Sequence, residues 1–217
     1  ADAAPPANAS PAKLAQFYYD RGAARALLAR NKDALADGLQ ALAAGKGAIE
    51  FKQISRIRQF VALQYRAIGD PKQAITVFDS IVRDGNQPGV RGTMINALYN
   101  IAATLVSMGD VTQASTYAGR VGALVQEARG SPNPNWRAAY VVYGHSWEAD
   151  NDTVRGLVFE ARGQYPEAEA AYRRAEAFRR AAVKDTPKFD FPPPLEQMIL
   201  AADGTLLWVA RNETKQG

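Results

Sequence analysis

The sequence predicts an all-α fold, an α-solenoid assembled from helical hairpins, and three observations carry that expectation. First, a motif returns: Tyr65-Arg66-Ala67-Ile68-Gly69-Asp70 with Gln73, Ala74 and Phe78 recurs 40 residues later as Leu105-Val106-Ser107-Met108-Gly109-Asp110 with Gln113, Ala114 and Ala118. Second, apolar residues at helical spacing flank each Gly-Asp joint, as Ile54, Ile57, Val61 and Tyr65 do before Gly69, and Ala74, Ile75, Phe78 and Ile81 after it. Third, the 217 residues hold 41 Ala against 17 Gly, 12 Pro and no Cys, with 47% hydrophobic residues, a balance that favours closely packed helices over strands.

The repeat extends both ways. Stepping back 40 residues reaches Ala29-Arg30 and Asp33-Ala34, preceded by Gly22; stepping forward 54 from Gly109 reaches Arg162-Gly163-Gln164-Tyr165-Pro166-Glu167-Ala168, then Tyr172 and Ala175. A glycine in the left-handed conformation ends one helix, an Asp caps the next, and Pro71 occupies a first turn, where its missing N–H costs nothing. Small residues within the first helix of each unit (Gly22, Ala62, Ala102, Gly156) and early in the second (Ala34, Ala74, Ala114, Ala168) allow close approach, with Phe78 or Tyr172 filling the space beside them.

Taken in order, the expected helices are 11–30, 32–44, 48–68, 71–84, 91–108, 111–129, 134–162, 166–184 and 195–216. The long loops fall at 85–90, 130–134 and 185–194, the last holding Pro187 and Pro192-Pro193-Pro194, and residues 1–10 read as a disordered leader. Residues 130–150 form an inserted or elongated segment. The final stretch, with Leu206, Leu207, Trp208 and Val209, has no second helix to pair with before Gly217, so the chain reads as four hairpins plus a truncated fifth.

This pattern resembles the tetratricopeptide repeat. Gly156, Phe159, Gly163, Ala168, Tyr172 and Ala175 match its spacing, and Ala62, Tyr65, Gly69, Ala74 and Phe78 nearly do. The spacings of 40 and 54 exceed the family's ~34, and the first and third units lack the large aromatic of the second helix. The resemblance covers residues 12–217 and implies a right-handed solenoid whose first helices line a concave, peptide-binding wall.

Several function classes are excluded by composition. Without Cys there is no disulfide, thiolate metal site or cysteine nucleophile, and the single His leaves a Ser/His/Asp set only if His145 is its base. No cofactor, metal or catalytic residue is assigned. A net charge of +4, from 26 basic and 22 acidic residues spread along the chain, is too diffuse to indicate nucleic acid. The uncharged stretch from Gly92 to Gly109 is interrupted by Thr93, Asn96, Asn100, Thr104 and Ser107, so it is amphipathic and no membrane span is expected. The start Ala1-Asp2-Ala3-Ala4-Pro5-Pro6 looks like what remains after a signal peptide or a tag is removed; the first implies a periplasmic or secreted protein, and otherwise the protein is cytoplasmic.

That amphipathic stripe supplies the candidate site. At 100° per residue its five polar residues fall within an arc of about 80°, and all are uncharged hydrogen-bonding groups. Subtracting 40 gives Gln53, Arg56, Phe60, Gln64 and Ala67, and subtracting 80 gives Lys13, Gln16, Asp20, Ala24 and Leu27. The binding candidates are therefore Gln16, Asp20, Arg56, Gln64, Asn96, Asn100 and Thr104, set against the plainer reading of an exposed polar face. The Lys and Asn with which some tetratricopeptide domains grip a chaperone's C-terminal carboxylate are absent, since those places hold Tyr19, Ala23, Gln59, Leu63, Tyr99 and Ala103; no chaperone partner is assigned.

Three other clusters have competing readings. His145 lies in a ladder of Trp136, Tyr140, Tyr143 and Trp147 at i, i+4, i+7 and i+11, which is a general base beside an aromatic pocket, a ligand slot, or a face packed on the preceding helix through Val121 and Val125. Asp150, Asn151 and Asp152 resemble the start of a calcium loop, but Arg155 and Ala161 stand where that loop needs Gly and Glu, leaving a helix cap or solvated bend. The basic run Arg173, Arg174, Arg179, Arg180 and Lys184 is largely an internally paired surface, with Glu169–Arg173 and Glu176–Arg180 at i, i+4.

The Ala/Arg-rich repeats, the Pro132-Asn133-Pro134-Asn135 segment before an elongated helix, a start that fits a removed signal peptide and the truncation together resemble the N-terminal repeat region of bacterial proteins ending in a CHAT domain, a caspase-like peptidase module. The resemblance implies a Cys/His dyad beyond residue 217. The expected function is a non-catalytic scaffold for protein or peptide interaction, with a ligand-binding or enzymatic domain around His145, or a self-assembly module, as alternatives.

Overall fold

The computed structural model describes residues 1–87 and 89–189 and, beyond them, Ile199, Asp203, Gly204, Ala210, Thr214 and Lys215. Apart from those six residues the helix expected at 195–216 lies outside the described residues, as do the prolines of 192–194 and Pro88. Among those described, the chain is all-helical: α1 (Pro11–Leu27), α2 (Asn31–Gly45), α3 (Phe51–Ala67), α4 (Pro71–Asp84), α5 (Gly92–Ser107), α6 (Val111–Gly130), α7 (Pro134–Ala161) and α8 (Tyr165–Asp185), then a single 3-10 turn (Thr186–Lys188). None of these helices is long and apolar enough to cross a membrane.

The hairpin joints repeat in detail. At Ala29, Gly69, Gly109 and Gly163 the backbone is left-handed (φ 56°, 85°, 82° and 74°). The next residue's amide reaches back five positions each time: Arg30 to Arg25, Asp70 to Tyr65, Asp110 to Leu105 and Gln164 to Phe159, at 2.8–3.0 Å. Asp70 and Asp110 then cap the following helices through the amides of Gln73 and Gln113. The first joint lies at 28–30, ahead of the break expected between helices 11–30 and 32–44, because Ala29 takes the left-handed position that Gly fills elsewhere and so stops α1 three residues early. Helix α3 starts at Phe51 and not at 48, since Gly47 turns the chain at φ 72°.

The chain divides into two compact units, Ala1–Ala97 and Leu98–Gly217, with the boundary inside α5. In the first unit α1 packs on α2, α2 on α3 and α3 on α4. Ala34, Ala74 and Phe78 are completely buried, and a Cβ on Gly22 would come within 3.1 Å of Asp37 Cβ and of the Phe60 ring, so the glycine permits the approach. In the second unit α7 packs on both α6 and α8. Ala102, Ala114, Ala168 and Ala175 are fully buried, and Gly156 admits the buried ring of Tyr172, whose hydroxyl donates to Glu160 at 2.8 Å. Fully burying a ring of this size contributes roughly 1.5–3 kcal/mol.

The segment 1–10, expected as a disordered leader, makes specific contacts. Ser10 caps α1, and Ala1, Asp2 and Ala3 bond to arginines of the first hairpin.

Candidate functional site

Four of the candidate residues, Gln16, Asp20, Arg56 and Asn96, belong to the first unit, on α1, α3 and the opening turns of α5. The Arg56 guanidinium lies over the Tyr19 ring, 4.7 Å from its centroid. Tyr19 in turn meets Phe60 edge-on at 5.5 Å, so a three-residue stack ties α1 to α3 and holds the cation in place. One turn along α3, Gln59 donates from Nε2 to Asn96 Oδ1 on α5. At the far end Gln16 donates to Asp20 at 2.8 Å. Gln16 and Asp20 are exposed, while Arg56 and Asn96 are partly covered. Helical spacing explains the row: positions 16 and 20 are one turn apart, as are 56 and 60, so each pair shares a helix face.

The other three candidates are not on an open surface. Gln64 is 7% exposed with no partner for its Oε1, Asn100 is 7% exposed and Thr104 is fully buried. Thr104 is buried at little cost because its hydroxyl donates to the Asn100 carbonyl of its own helix at 2.7 Å, which satisfies it without water. Uncharged polarity therefore marks two things at once: accessible groups toward the start of α5 and self-satisfied buried groups farther along it.

A second cluster belongs to the second unit. Trp147 is buried and sits among Trp136 (5.3 Å between ring centroids), Tyr140 (6.5 Å) and Tyr143 (5.8 Å, stacked), with Phe189 against Tyr143 at 4.9 Å. Tyr140 donates to Glu148 at 2.7 Å, and burial, followed by that carboxylate, raises its phenol above the ordinary range. His145 points away from this stack. Its Nδ1 is 2.6 Å from Asp185 Oδ2, Lys188 Nζ bonds the other oxygen at 2.7 Å, and the imidazole is half-exposed. The Lys188 ammonium, helped by His145 and opposed by burial, holds the Asp185 carboxyl below its usual value. The contact with Asp185 orients the imidazole.

Asp150 and Asp152 are neither a cap nor a bend. Both are buried in the middle of the 28-residue α7, with Asp152 held by Arg174 at 3.0 Å and Asp150 by Arg179 at 3.6 Å, while the neighbouring Glu148 pairs with Arg129 of α6. Partners from adjacent helices make burial of these carboxylates tolerable. The expected Glu169–Arg173 and Glu176–Arg180 pairs are present. No group of three or more potential metal-ligating side chains occurs among the described residues.

One grouping has no counterpart among the sequence-derived candidates: Arg21 and Arg25 of α1 both bond Asp37 of α2, which is 2% exposed. Two arginines one turn apart, opposite an Asp in the next helix, are its only signal in the sequence. No family model matches the chain, and no curated protein matches it.

Proposed function

We propose that the chain is a non-catalytic interaction module of the tetratricopeptide kind, a right-handed solenoid of hairpins that holds an extended segment of a partner protein along its first helices. The observation that carries the proposal is the row Tyr19–Arg56 and Gln59–Asn96, in which side chains of successive first helices meet and set amide and guanidinium groups side by side. Such groups suit a peptide backbone, which offers a donor and an acceptor at each residue, and Arg56 favours acidic side chains.

The test is a display library of random peptides panned on the full chain, followed by calorimetry on the enriched sequences. Two hydrogen bonds at ~0.5–1.5 kcal/mol each predict that Arg56→Ala with Asn96→Ala weakens binding by ~1–3 kcal/mol. Because the double change also removes the Tyr19 and Gln59 contacts, binding is compared well below the melting temperature of both chains. Peptides that bind the double variant equally well would remove the first-helix row from consideration. A second reading, ligand binding near His145, is favoured by the Asp185 contact that orients the imidazole; it predicts loss on His145→Ala and indifference to the Arg56 and Asn96 changes.

A further inference from the structure

Three arginines of the first hairpin are each divided between two tasks. Arg21 uses Nε and Nη2 on Asp37 (3.0 and 2.6 Å) and turns Nη1 to the Ala3 carbonyl at 2.7 Å. Arg25 uses Nη1 on Asp37 at 2.8 Å, which leaves Nε for the Ala1 carbonyl and Nη2 for the Asp2 carboxylate, both at 3.1 Å. Arg30 rests Nε and Nη2 on Asp33 (2.9 and 2.8 Å) and turns Nη1 to both Asp2 oxygens, at 3.0 and 2.8 Å. Every inner edge is fixed by a carboxylate of α2, and every outer edge reads the same tripeptide.

We infer that Arg21, Arg25 and Arg30 form a binding site for an extended peptide segment centred on an acidic residue, a site that the chain's own Ala1-Asp2-Ala3 fills and another such segment can take over. Recognition uses two backbone carbonyls and one carboxylate, so the flanking residues need no particular side chain. Asp37 keeps Arg21 and Arg25 aimed whether or not the tripeptide is in place, and a planar guanidinium with one edge anchored offers the other at little entropic cost. Charge favours an acidic occupant as well: three arginines against Asp33 and Asp37 leave one positive charge when Asp2 departs. Exchange is open because the Asp2 side chain is 64% exposed, and water-exposed ion pairs hold weakly. The site lies on other residues than the first-helix row and stands or falls apart from it.

The probe is a synthetic Ala-Asp-Ala-Ala-Pro-Pro peptide, fluorescein-labelled at its C-terminal end, with the Asn counterpart of its Asp as control, titrated by anisotropy into the full chain. A tethered competitor acts at high effective concentration, so Asp2→Ala should bind the probe about tenfold or more tightly than the unaltered chain. The Asn peptide should bind the Asp2→Ala chain about tenfold more weakly than the Asp peptide does, since it lacks the carboxylate. Adding Arg30→Gln to Asp2→Ala should abolish the gain, and Lys72→Gln, at an exposed position outside both sites, should leave it unchanged. Arg30 is part-exposed, so its replacement spares the core, and a melting curve verifies this. Equal binding by the Asp2→Ala and unaltered chains, equal binding of the two peptides, or a gain that survives Arg30→Gln would each overturn the inference.

Discussion

Replacing Gly156 by Ala adds one methyl group at the tightest crossing of the second unit. A Cβ there would stand 2.6 Å from Cδ1 and 2.9 Å from Cζ of Tyr172, whereas carbon atoms pack at ~3.5–4.0 Å. The ring cannot easily give way, because Tyr172 is fully buried and its hydroxyl is fixed on Glu160. Overpacking of this kind costs ~1–3 kcal/mol, and the ordinary gain from Gly to Ala within a helix offsets only ~0.5–1 kcal/mol of it. The expected net loss is ~0.5–2 kcal/mol, a drop of a few degrees in melting temperature at ~2–4 °C per kcal/mol for a chain of this length. Gly119→Ala is the matched control, since that helical glycine is exposed and an added methyl group would meet nothing within 4 Å; it should gain ~0.5–1 kcal/mol. Urea and thermal unfolding followed by circular dichroism separate the two. If Gly156→Ala raises stability as Gly119→Ala does, the close approach of α7 and α8 is not what the small residue is for.

Ala29→Gly should stabilise the chain by ~1 kcal/mol, since an L residue in the left-handed region bears a penalty that glycine escapes; a lower urea midpoint would refute this. Asp185 has a folded-state pKa below its unfolded one, so its contribution is complete above about pH 4 and drains as pH falls through the depressed folded value. Asp185→Asn should therefore flatten the acid limb of the stability–pH curve, and unfolding measured between about pH 5 and pH 2 that shows equal slopes for both chains would count against the Lys188 and His145 contacts.

Much of the architecture is legible in the sequence because each joint carries its own local chemistry. Gly69-Asp70-Pro71 and Gly109-Asp110 announce a left-handed stop followed by a cap, and both lie where the spacing puts them. Ala29 breaks that code: the same turn forms with a residue that normally continues a helix, so the pattern predicts an α1 that is too long. The candidate row is half legible. Arg56 and Asn96 are only partly covered while Asn100 is buried, and nothing local distinguishes Asn96 from Asn100 one turn later, because burial is decided by what packs above a helix and not by the helix itself. Asp150 and Asp152 mislead for a related reason: their arginines come from α8, and a pairing between helices leaves no short-range spacing to recognise.

The three α7 carboxylates have a consequence for how such a stack keeps its alignment. Interfaces lined by alanine are smooth, and a smooth helix can slide by a turn against its neighbour and still bury comparable apolar area. Glu148, Asp150 and Asp152 remove that freedom, each meeting a different arginine, Arg129 on one side and Arg179 and Arg174 on the other. A one-turn slip would strand several charges away from water at several kcal/mol apiece. The alanines thus let the helices come close, while the carboxylates act as the teeth of a key that admits one longitudinal setting. Anyone splicing this hairpin into another helical protein would have to carry the arginines of both neighbouring helices along with it.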